Sequence, residues 1–367
     1  MNKMRKKGAM RLPKSTTKLK QYFPMIRERE DIEREIRENP KLLEKYREWD
    51  EEQQEEFLDY CTGVKGVKVL YDAFFKEIMN PENTPERLNE LLSLLLGQSV
   101  TIKRVLPGDS TRLADEQSLL IMDILVELAD TSLANVEVQK IGYSFPGQRS
   151  ACYSSDLLLR QYKRVKGEKK KAFSYKDIKS VYTIVFFETS IKEFHEYPQN
   201  YIHKFKQQSD TGLGLELLQK YVFIPLDIFR GIYHNNLRNK TEAWLTFLST
   251  DEPEIIIELI SQYPEFKEMY EEIYVMCQNV EKVMEMFSKE LIQLDRNTVQ
   301  YMIDEMQDTI DVQKEKIDTQ KEELEAKQET IDSQKATIDT QKEELEAARR
   351  RLREMAEKLE QLEQNQK

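Results

Sequence analysis

The C-terminal segment of the chain carries an apolar residue at every seventh position. The positions of this repeat are Ile303, Ile310, Ile317, Leu324, Ile331, Ile338, Leu345, Leu352 and Leu359. An unbroken heptad repeat favours a supercoiling helix over a globular fold, so residues 301–362 are predicted to form a coiled coil. The second core position, three residues further on, is polar from Gln313 to Gln341, which predicts a weak seam. A solitary charged helix stabilised by i,i+4 pairs is the alternative.

The charge of the chain is divided unevenly. The net charge is −11, yet residues 61–240 hold 25 Lys and Arg against 21 Asp and Glu. Within this middle part, the run 163-KRVKGEKKK-171 has six basic residues and one acid. Such a run predicts a patch that binds a polyanion such as DNA, and a solvated loop after a helix is the alternative. The predicted DNA-binding residues of this run are Lys163, Arg164, Lys166, Lys169, Lys170 and Lys171.

Other features of the sequence indicate a soluble protein of the cytoplasm. There is no apolar run of about 18 residues, which a membrane span would need. The basic start of the chain is not followed by the apolar segment of an export signal. Three widely spaced cysteines suit reduced thiols, and three histidines without metal-ligand spacing suggest no catalytic role. We expect no membrane partner.

The order of hydrophobic patterns predicts the domains. Residues 1–62 combine a basic start with short amphipathic helices, which suggests a helical N-terminal cap. Residues 63–235 contain two helical patterns, three strands (99–106, 119–128 and 133–141), a helix (147–165) and a fourth strand (180–188). The second helical pattern is predicted to have Thr84 as its N-cap, Pro85 in its first turn and Gly97 as its stop. A late antiparallel pair is predicted from the apolar stretches 201–205 and 220–229. This order is typical of an α/β fold, and residues 236–300 return to a helical pattern.

Two carboxylates stand on neighbouring predicted strands. With the turn centred near Asp130, positions that sum to 260 face each other, so Asp123 and Glu137 become cross-strand partners. In that register the even positions are apolar, and the odd ones carry the polar side chains Asp123, Glu127, Asn135, Glu137 and Gln139. Opposed like charges destabilise a sheet unless something compensates them. A divalent cation such as Mg²⁺ would do so, and acids that simply face water are the alternative.

The ordered set DAFFK, Asp123, NVEVQ, RSACYSSDLLLRQ and VYTIVFF resembles the PD-(D/E)XK nuclease superfamily in its transposase-associated branch, over roughly residues 66 to 235. The resemblance implies a restriction-endonuclease-like mixed sheet flanked by helices and Mg²⁺-dependent cleavage of DNA, with Mn²⁺ as a possible substitute. It also implies that Asp123 and Glu137 ligate the metal and that Asp72 or Glu77 of the first helix supplies a further acid. Arg149, on the helix that follows the strands, is predicted to contact DNA.

This chain departs from the superfamily pattern at two positions. Met122 stands where the superfamily has proline, and Gln139 stands where it has lysine. An amide supplies no positive charge, although it still positions a water molecule by hydrogen bonds. We therefore predict a metal-dependent DNA endonuclease, associated with transposition or recombination and assembled as a homo-oligomer through its coiled coil. The alternative is a catalytically degenerate relative that acts as a DNA-binding or coiled-coil scaffold.

Overall fold

The computed structural model describes residues 17–106, 124–140, 146–232 and 237–364. Its strands are β1 (Ile102–Leu106), β2 (Ile124–Leu128), β3 (Leu133–Gln139), β4 (Val181–Phe187), β5 (His203–Lys206) and β6 (Gln219–Pro225). The helices that precede the sheet are α1 (Lys18–Tyr22), α2 (Arg29–Glu38), α3 (Pro40–Glu48), α4 (Glu51–Cys61), α5 (Asp72–Ile78) and α6 (Pro85–Leu96). The later helices are α7 (Pro146–Lys169), α8 (Lys192–His195), α9 (Leu226–Ile232), α10 (Lys240–Ser249), α11 (Pro253–Gln262), α12 (Glu265–Met276) and α13 (Val280–Gln364).

Local sequence signals set the ends of the early helices. Asp50 caps α4, because its carboxylate accepts a hydrogen bond from the backbone of Gln53 at 2.8 Å and the Gln53 side chain accepts one in return. Helix α6 has Thr84 at its N-cap and Pro85 in its first turn. Gly97 ends α6 in a left-handed conformation with φ of 70°. The start and stop predicted for this helix are confirmed.

The six strands form one mixed sheet in the order β1-β2-β3-β4-β6-β5. Strands β1, β2 and β3 make an antiparallel meander, whereas β3, β4 and β6 are parallel to one another. Strand β5 lies antiparallel to β6 at the edge, as the sequence predicted for this late pair. The predicted α/β sheet is therefore confirmed.

The hairpin of β2 and β3 has the predicted register. Ile124 pairs with Val136, Val126 with Ala134, and Glu127 with Leu133, so that each pair sums to 260. The tight turn between the strands is supported by Asp130, whose carboxylate accepts hydrogen bonds from the backbone and hydroxyl of Ser132. The register decides which side chains share a face of the sheet.

Helix α7 connects the parallel strands β3 and β4, a connection that requires a crossover segment. Its buried side chains recur at helical spacing and face the sheet: Ser150, Tyr153, Ser154, Leu157, Gln161 and Val165. Gln161 fixes the far end of the helix, because its side chain accepts a hydrogen bond from the Lys179 backbone at 2.7 Å. The predicted helix over 147–165 is confirmed and extends to Lys169.

The two faces of the sheet pack against different parts of the chain. Even-numbered residues of β2 and β3, such as Val126 and Val136, join the main core, which also contains side chains of the N-terminal and C-terminal helices. Odd-numbered residues such as Leu125 and Leu133 pack against Tyr153 and Leu157 of α7. Both faces are therefore covered, and the alternative that the acids of the hairpin face open water is wrong for Glu137, which is buried.

The chain divides into two units, one that ends at Met302 and one that begins at Ile303. In the first unit, α10, α11 and α12 supply large buried side chains to the main core, among them Trp244, Phe266 and Tyr270. The second unit is helical as far as Gln364. Within the described residues, no helix is long and apolar enough to cross a membrane.

Candidate active site

Glu137 and Gln139 lie on one face near the C-terminal end of β3. Two residues apart on a strand, they point the same way. The Gln139 amide donates a hydrogen bond to Oε1 of Glu137 at 3.1 Å. Both side chains are buried, with 6% and 2% of their surface exposed. The predicted Glu-x-Gln pair is therefore a connected unit under helix α7.

The other predicted acids are not assembled around this pair in the part of the chain that the structure describes. Asp123 lies outside the described residues. Asp72 begins helix α5, and its side chain is likewise not described. Glu77 is exposed, and its carboxylate lies 3.9 Å from Lys282 of α13. The structure therefore turns Glu77 toward the C-terminal helix and shows no contact between it and β3.

Several buried polar atoms on the α7 face of the sheet, and on α7 itself, have no hydrogen-bond partner among the described residues. They are Gln139 Oε1, both amide atoms of Asn135, and the hydroxyls of Thr183, Ser150 and Ser154. Asn135 and Thr183 are directly paired across β3 and β4, and the two serines are on the sheet-facing side of α7. Buried polar groups are costly unless something bonds to them. The arrangement favours bound water or a polar ligand at this place.

The chemistry of these donors fits a hard divalent cation. The Glu137 carboxylate and Oε1 of Gln139 are oxygen ligands of the kind that Mg²⁺ prefers, together with retained waters. Among the described side chains, no three His, Cys, Asp or Glu residues converge as a ligand set. Glu137 is therefore the one predicted metal ligand whose side chain the structure places.

Lys140 follows Gln139 but points to the opposite face of the sheet. Its ammonium lies 3.3 Å from Glu188 and 3.3 Å from Glu290, and 4.7 Å from the centre of the Tyr71 ring. The side chain is buried, so these ion pairs tie the end of β3 to α13. Lys140 therefore does not take the place of the superfamily lysine whose position Gln139 occupies, because neighbouring residues of a strand point to opposite faces.

Glu127 is a second buried carboxylate on the same face as Glu137. Its carboxylate forms ion pairs with Lys103 at 2.9 Å, with Arg104 at 2.8 Å and with Arg164 of α7. Burial by itself would raise the pKa of Glu127, but the hydrogen bonds from Arg104 and Lys103 and the charge of Arg164 outweigh it and lower the pKa. Glu127 thereby links β1, β2 and α7 as a structural ion-pair centre.

The predicted basic run, residues 163–171, belongs to helix α7 as far as Lys169. The alternative interpretation placed the run in a loop after a helix. Three of its residues have partners: Arg164 pairs with Glu127, Lys166 bonds to the Tyr162 hydroxyl at 2.7 Å, and Lys169 pairs with Asp177 at 2.5 Å. The others, Lys163, Lys170 and Lys171, are exposed without an ion pair in the described ranges. Arg149 lies at the other end of α7, where it donates to the Tyr153 hydroxyl at 3.1 Å. About 30 Å of helix separates Arg149 from Lys169.

Ser190, His195 and Asp227 form a polar cluster beyond the ends of β4 and β6. Nε2 of His195 lies 3.1 Å from Asp227 and 3.3 Å from the Ser190 hydroxyl, and that hydroxyl donates to the same carboxylate oxygen at 3.0 Å. A nucleophilic triad instead uses the two ring nitrogens for different partners. The cluster therefore fastens the segment after β4 and does not form a hydrolase triad.

An aromatic pocket that the sequence did not reveal lies beside the N-terminus of α7. It has a volume of about 430 Å³ and lies between that helix, the segment around α8, and strands β5 and β6. Its side chains come from four separate parts of the chain. The only signal in the sequence is the alternation of ring-bearing residues in β5 (His203, Phe205) and β6 (Tyr221, Phe223).

A mixed sheet with Glu-x-Gln on a central strand, an early helical layer and a crossover helix makes this an α/β protein, consistent with the nuclease fold that the resemblance implies. The chain belongs to the PD-(D/E)XK nuclease family transposase family, whose model matches residues 69–305, more than half of the chain. The resemblance seen in the sequence is thus confirmed. The match extends past residue 235, through α10, α11 and α12, into α13.

No curated protein and no solved structure matches the chain. The family and the geometry of the described residues therefore carry the functional argument.

Proposed function

We propose that this protein is a divalent-metal-dependent DNA endonuclease that hydrolyses phosphodiester bonds in transposition or recombination. The observation that carries the proposal is the buried Glu137–Gln139 pair, which shares the α7 face of the sheet with other buried polar atoms that have no hydrogen-bond partner among the described residues. Membership of a nuclease family supports this reading of the pair. Free thiols at Cys61, Cys152 and Cys277 agree with a reducing compartment such as the cytoplasm.

In this proposal Glu137 and Asp123 hold Mg²⁺ or Mn²⁺. When bound, such a cation neutralises phosphate charge and makes a water molecule more acidic. Gln139 keeps the Glu137 carboxylate in place with its amide, and its carbonyl oxygen is buried without a hydrogen-bond partner among the described residues. That oxygen would accept a hydrogen bond from the attacking water, which is an orienting role that does not need the charge of a lysine.

The basic residues would hold the DNA along helix α7. Arg149 lies at the N-terminal end of α7, and Lys163, Lys170 and Lys171 lie toward its other end. The distance of about 30 Å along α7 is close to one turn of B-DNA, ~34 Å. A duplex that follows the helix would therefore meet phosphate contacts at both ends. Arg164 is a weaker candidate, because Glu127 already neutralises it.

The heptad repeat would pair two copies of the chain. The seam residues from Ile303 to Leu352 are 45–66% exposed in the single chain, and exposed apolar stripes of this length favour association. Two nuclease domains held together in this way would suit cutting both strands of a duplex. Replacing Ile317 and Ile331 with Asp in the full chain should reduce the mass measured by sedimentation velocity. An unchanged mass would indicate a solitary helix.

A catalytically degenerate relative that binds DNA or acts as a scaffold is the second candidate. Gln139 favours this reading, since it replaces the lysine of the superfamily pattern. Such a protein would bind DNA and associate with itself, but it would not cut under any metal condition.

Incubation of the purified full chain with supercoiled plasmid and millimolar Mg²⁺ or Mn²⁺ separates the two candidates. The endonuclease should convert the plasmid to nicked and linear forms. Glu137→Gln keeps the size of the side chain and removes its charge, and it should abolish cutting. A chelator should do the same to the wild-type protein.

Glu254→Gln is the matched control, because it makes the same chemical change at an exposed position on α11. This variant should cut like wild type. Cutting by Glu137→Gln at the wild-type rate would rule out the assigned site. Wild-type protein that binds the plasmid without cutting it in either metal would establish the degenerate scaffold instead.

A further inference from the structure

The aromatic pocket is a preformed cavity beside the candidate active site. Pro146, Gly147 and Ala151 of α7 form one wall of the cavity. The opposite walls are formed by Ile191, Glu193, Phe194, Tyr197, His203, Phe205, Tyr221 and Phe223. The rings support one another, because the ring centre of Phe223 lies 5.2 Å from that of Phe205 and 6.2 Å from those of Phe194 and Tyr221.

The pocket and Glu137 lie on the same row across the sheet. Glu137 pairs with Val185, Val185 pairs with Phe223, and Phe223 pairs with His203. Directly paired residues point to the same face, so Phe223 shares the α7 face with Glu137. Neighbouring strands are ~4.8 Å apart, so the backbone of β6 runs about 10 Å from that of β3. This separation is short enough for one nucleic-acid strand to reach both places.

The lining suits a flat aromatic ligand with a polar edge. Tyr197 and Phe205 are 58% and 48% exposed. Each therefore presents a large apolar ring to water, which a flat ligand could cover. Bases of single-stranded nucleic acids stack on such rings, whatever their sequence. Among the lining residues, Glu193 can accept a hydrogen bond from a base amino group, whereas Nε2 of His203 already lies 3.1 Å from the carbonyl oxygen of Asn200. An aliphatic ligand would not stack on the rings of the lining.

The charges beside the pocket favour a phosphate-bearing ligand. Lys192 lies next to the lining residue Glu193, and Lys204 and Lys206 flank Phe205 on the edge strand β5. All three lysines are exposed, and none forms an ion pair with another described residue. Neighbouring residues of a strand point to opposite faces, so Lys204 and Lys206 do not point into the pocket. Their long side chains lie at the exposed edge of the sheet, where they and Lys192 can contact the sugar-phosphate backbone outside the pocket.

We propose that this aromatic pocket binds an unpaired nucleobase of the DNA substrate, close to the phosphodiester that Glu137 acts on. The inference rests on the proposed function and narrows its substrate class. A base inside a regular duplex is stacked and does not reach the pocket, so the preferred DNA contains an extrahelical or single-stranded nucleotide near the cut. The pocket therefore selects DNA structure and not sequence.

The test measures binding and not cutting, with wild-type full-length protein in chelator. Three fluorescein-labelled duplexes of one sequence are compared by anisotropy: fully paired, with one extrahelical adenine, and with an abasic nucleotide at the same extrahelical position. The abasic probe has the same backbone insertion but lacks the base. The protein should bind the adenine probe roughly 5- to 150-fold more tightly than the abasic probe, which is the range for stacking one base on aromatic side chains.

Two variants assign that preference to the pocket. Phe205→Ala removes an exposed ring of the lining, and Ala151→Phe fills the space from the α7 side; each should bring the affinity ratio of the adenine and abasic probes close to one. Tyr22→Ala is the matched control, because Tyr22 is an exposed aromatic residue of α1 outside the pocket, and it should keep the ratio. The titration is repeated with Glu137→Gln in Mg²⁺, so that the result does not depend on the chelator.

The outcomes separate the two proposals. Equal affinity for the adenine and abasic probes, together with binding to the paired duplex, would overturn the pocket assignment and leave the endonuclease proposal intact. A preference that survives in both pocket variants would also overturn it, because the base then binds elsewhere. Failure to bind any of the three duplexes would overturn both proposals.

Discussion

Glu127 and Glu137 are buried glutamates on the same face of the sheet, yet their surroundings differ. Glu127 lies between three cations, from Lys103, Arg104 and Arg164, and its pKa is lowered. Glu137 receives the Gln139 amide, and beside it are buried polar atoms without a hydrogen-bond partner in the described chain. Sequence spacing alone does not distinguish the two acids, because both occupy odd positions of the same hairpin.

The contrast distinguishes an acid with a structural role, Glu127, from a candidate ligand-binding acid, Glu137. A charge whose partners are all protein groups contributes to stability and leaves no capacity for a ligand. Polar groups that folding leaves without partners cost stability, and they persist where a ligand or water completes them. Asn135, Gln139 and Thr183 are of the second kind, and Glu127, which lies next to the turn of the hairpin, is of the first.

The largest effect on stability is expected at Glu127. Glu127→Gln removes the charge that three cations surround, and it should lower the free energy of unfolding at pH 7 by about 2 to 3 kcal/mol. Chemical denaturation of the full chain measures this loss. Glu254→Gln, on the surface of α11, should change the free energy by less than ~0.5 kcal/mol. Equal losses in the two variants would contradict the assigned role of Glu127.

The pH dependence of the same variant provides an independent check. Because the pKa of Glu127 is lowered in the folded state, the unfolded chain binds its proton more tightly. The stability from Glu127 is therefore complete above its ordinary pKa of 4.5 and is lost as the pH falls through the lower folded value. The difference between wild type and Glu127→Gln should narrow in acid. If the stability difference between the two proteins stays constant as the pH falls below 4.5, the charge of Glu127 is not the source of that difference.

A metal-dependent rise in melting temperature is expected at Glu137. A cation that binds only the folded protein at ten times its Kd stabilises it by about 1.4 kcal/mol. Calorimetry with and without millimolar Mg²⁺ should show this shift in wild type and in Glu127→Gln, but not in Glu137→Gln. Identical responses of the two variants would remove the distinction between the glutamates.

A smaller effect of the opposite sign is expected at Thr183. Its buried hydroxyl has no hydrogen-bond partner among the described side chains and backbone, so Thr183→Val should raise the free energy of unfolding by up to about 1 kcal/mol. Denaturation in chelator measures the change. A loss of stability in Thr183→Val would show that a bound water molecule already forms a hydrogen bond with this hydroxyl. Thr246→Val is a suitable comparison, since its hydroxyl is also buried without a partner but lies on α10.

The smallest effect is expected in the salt dependence of DNA affinity. It distinguishes a basic residue that forms an ion pair with Glu127 from one that is exposed without an ion pair. A substitution that removes one cation from a DNA phosphate should flatten the slope of log affinity against log salt by about 0.9 on duplex DNA. Lys170→Gln should show this change, whereas Arg164→Gln should leave the slope nearly unchanged because Arg164 is neutralised by Glu127. Anisotropy titrations over a range of salt give both slopes. A flatter slope for Arg164→Gln alone would reverse the assignment.

Features of the fold that depend on local periodicity could be predicted from the amino-acid sequence. The alternation of β2 and β3 and the turn near Asp130 were enough to predict the register in which Ile124 pairs with Val136. Thr84, Pro85 and Gly97 predicted the bounds of α6, since caps act within one helical turn. The Glu137–Gln139 pair was also found in this way, because residues two apart on a strand share a face.

Which charges already have a partner, and which chain segments meet, became visible in the folded structure alone. Arg164 lies within the basic run, but it faces Glu127, which is distant in sequence, and Glu77 faces Lys282. The aromatic pocket combines α7, the segment around α8, β5 and β6, whose rings are ordinary core or surface residues when read separately. The physical reason is that ion pairs and cavities depend on which surfaces pack together, and packing between distant segments leaves no periodic signal along the chain.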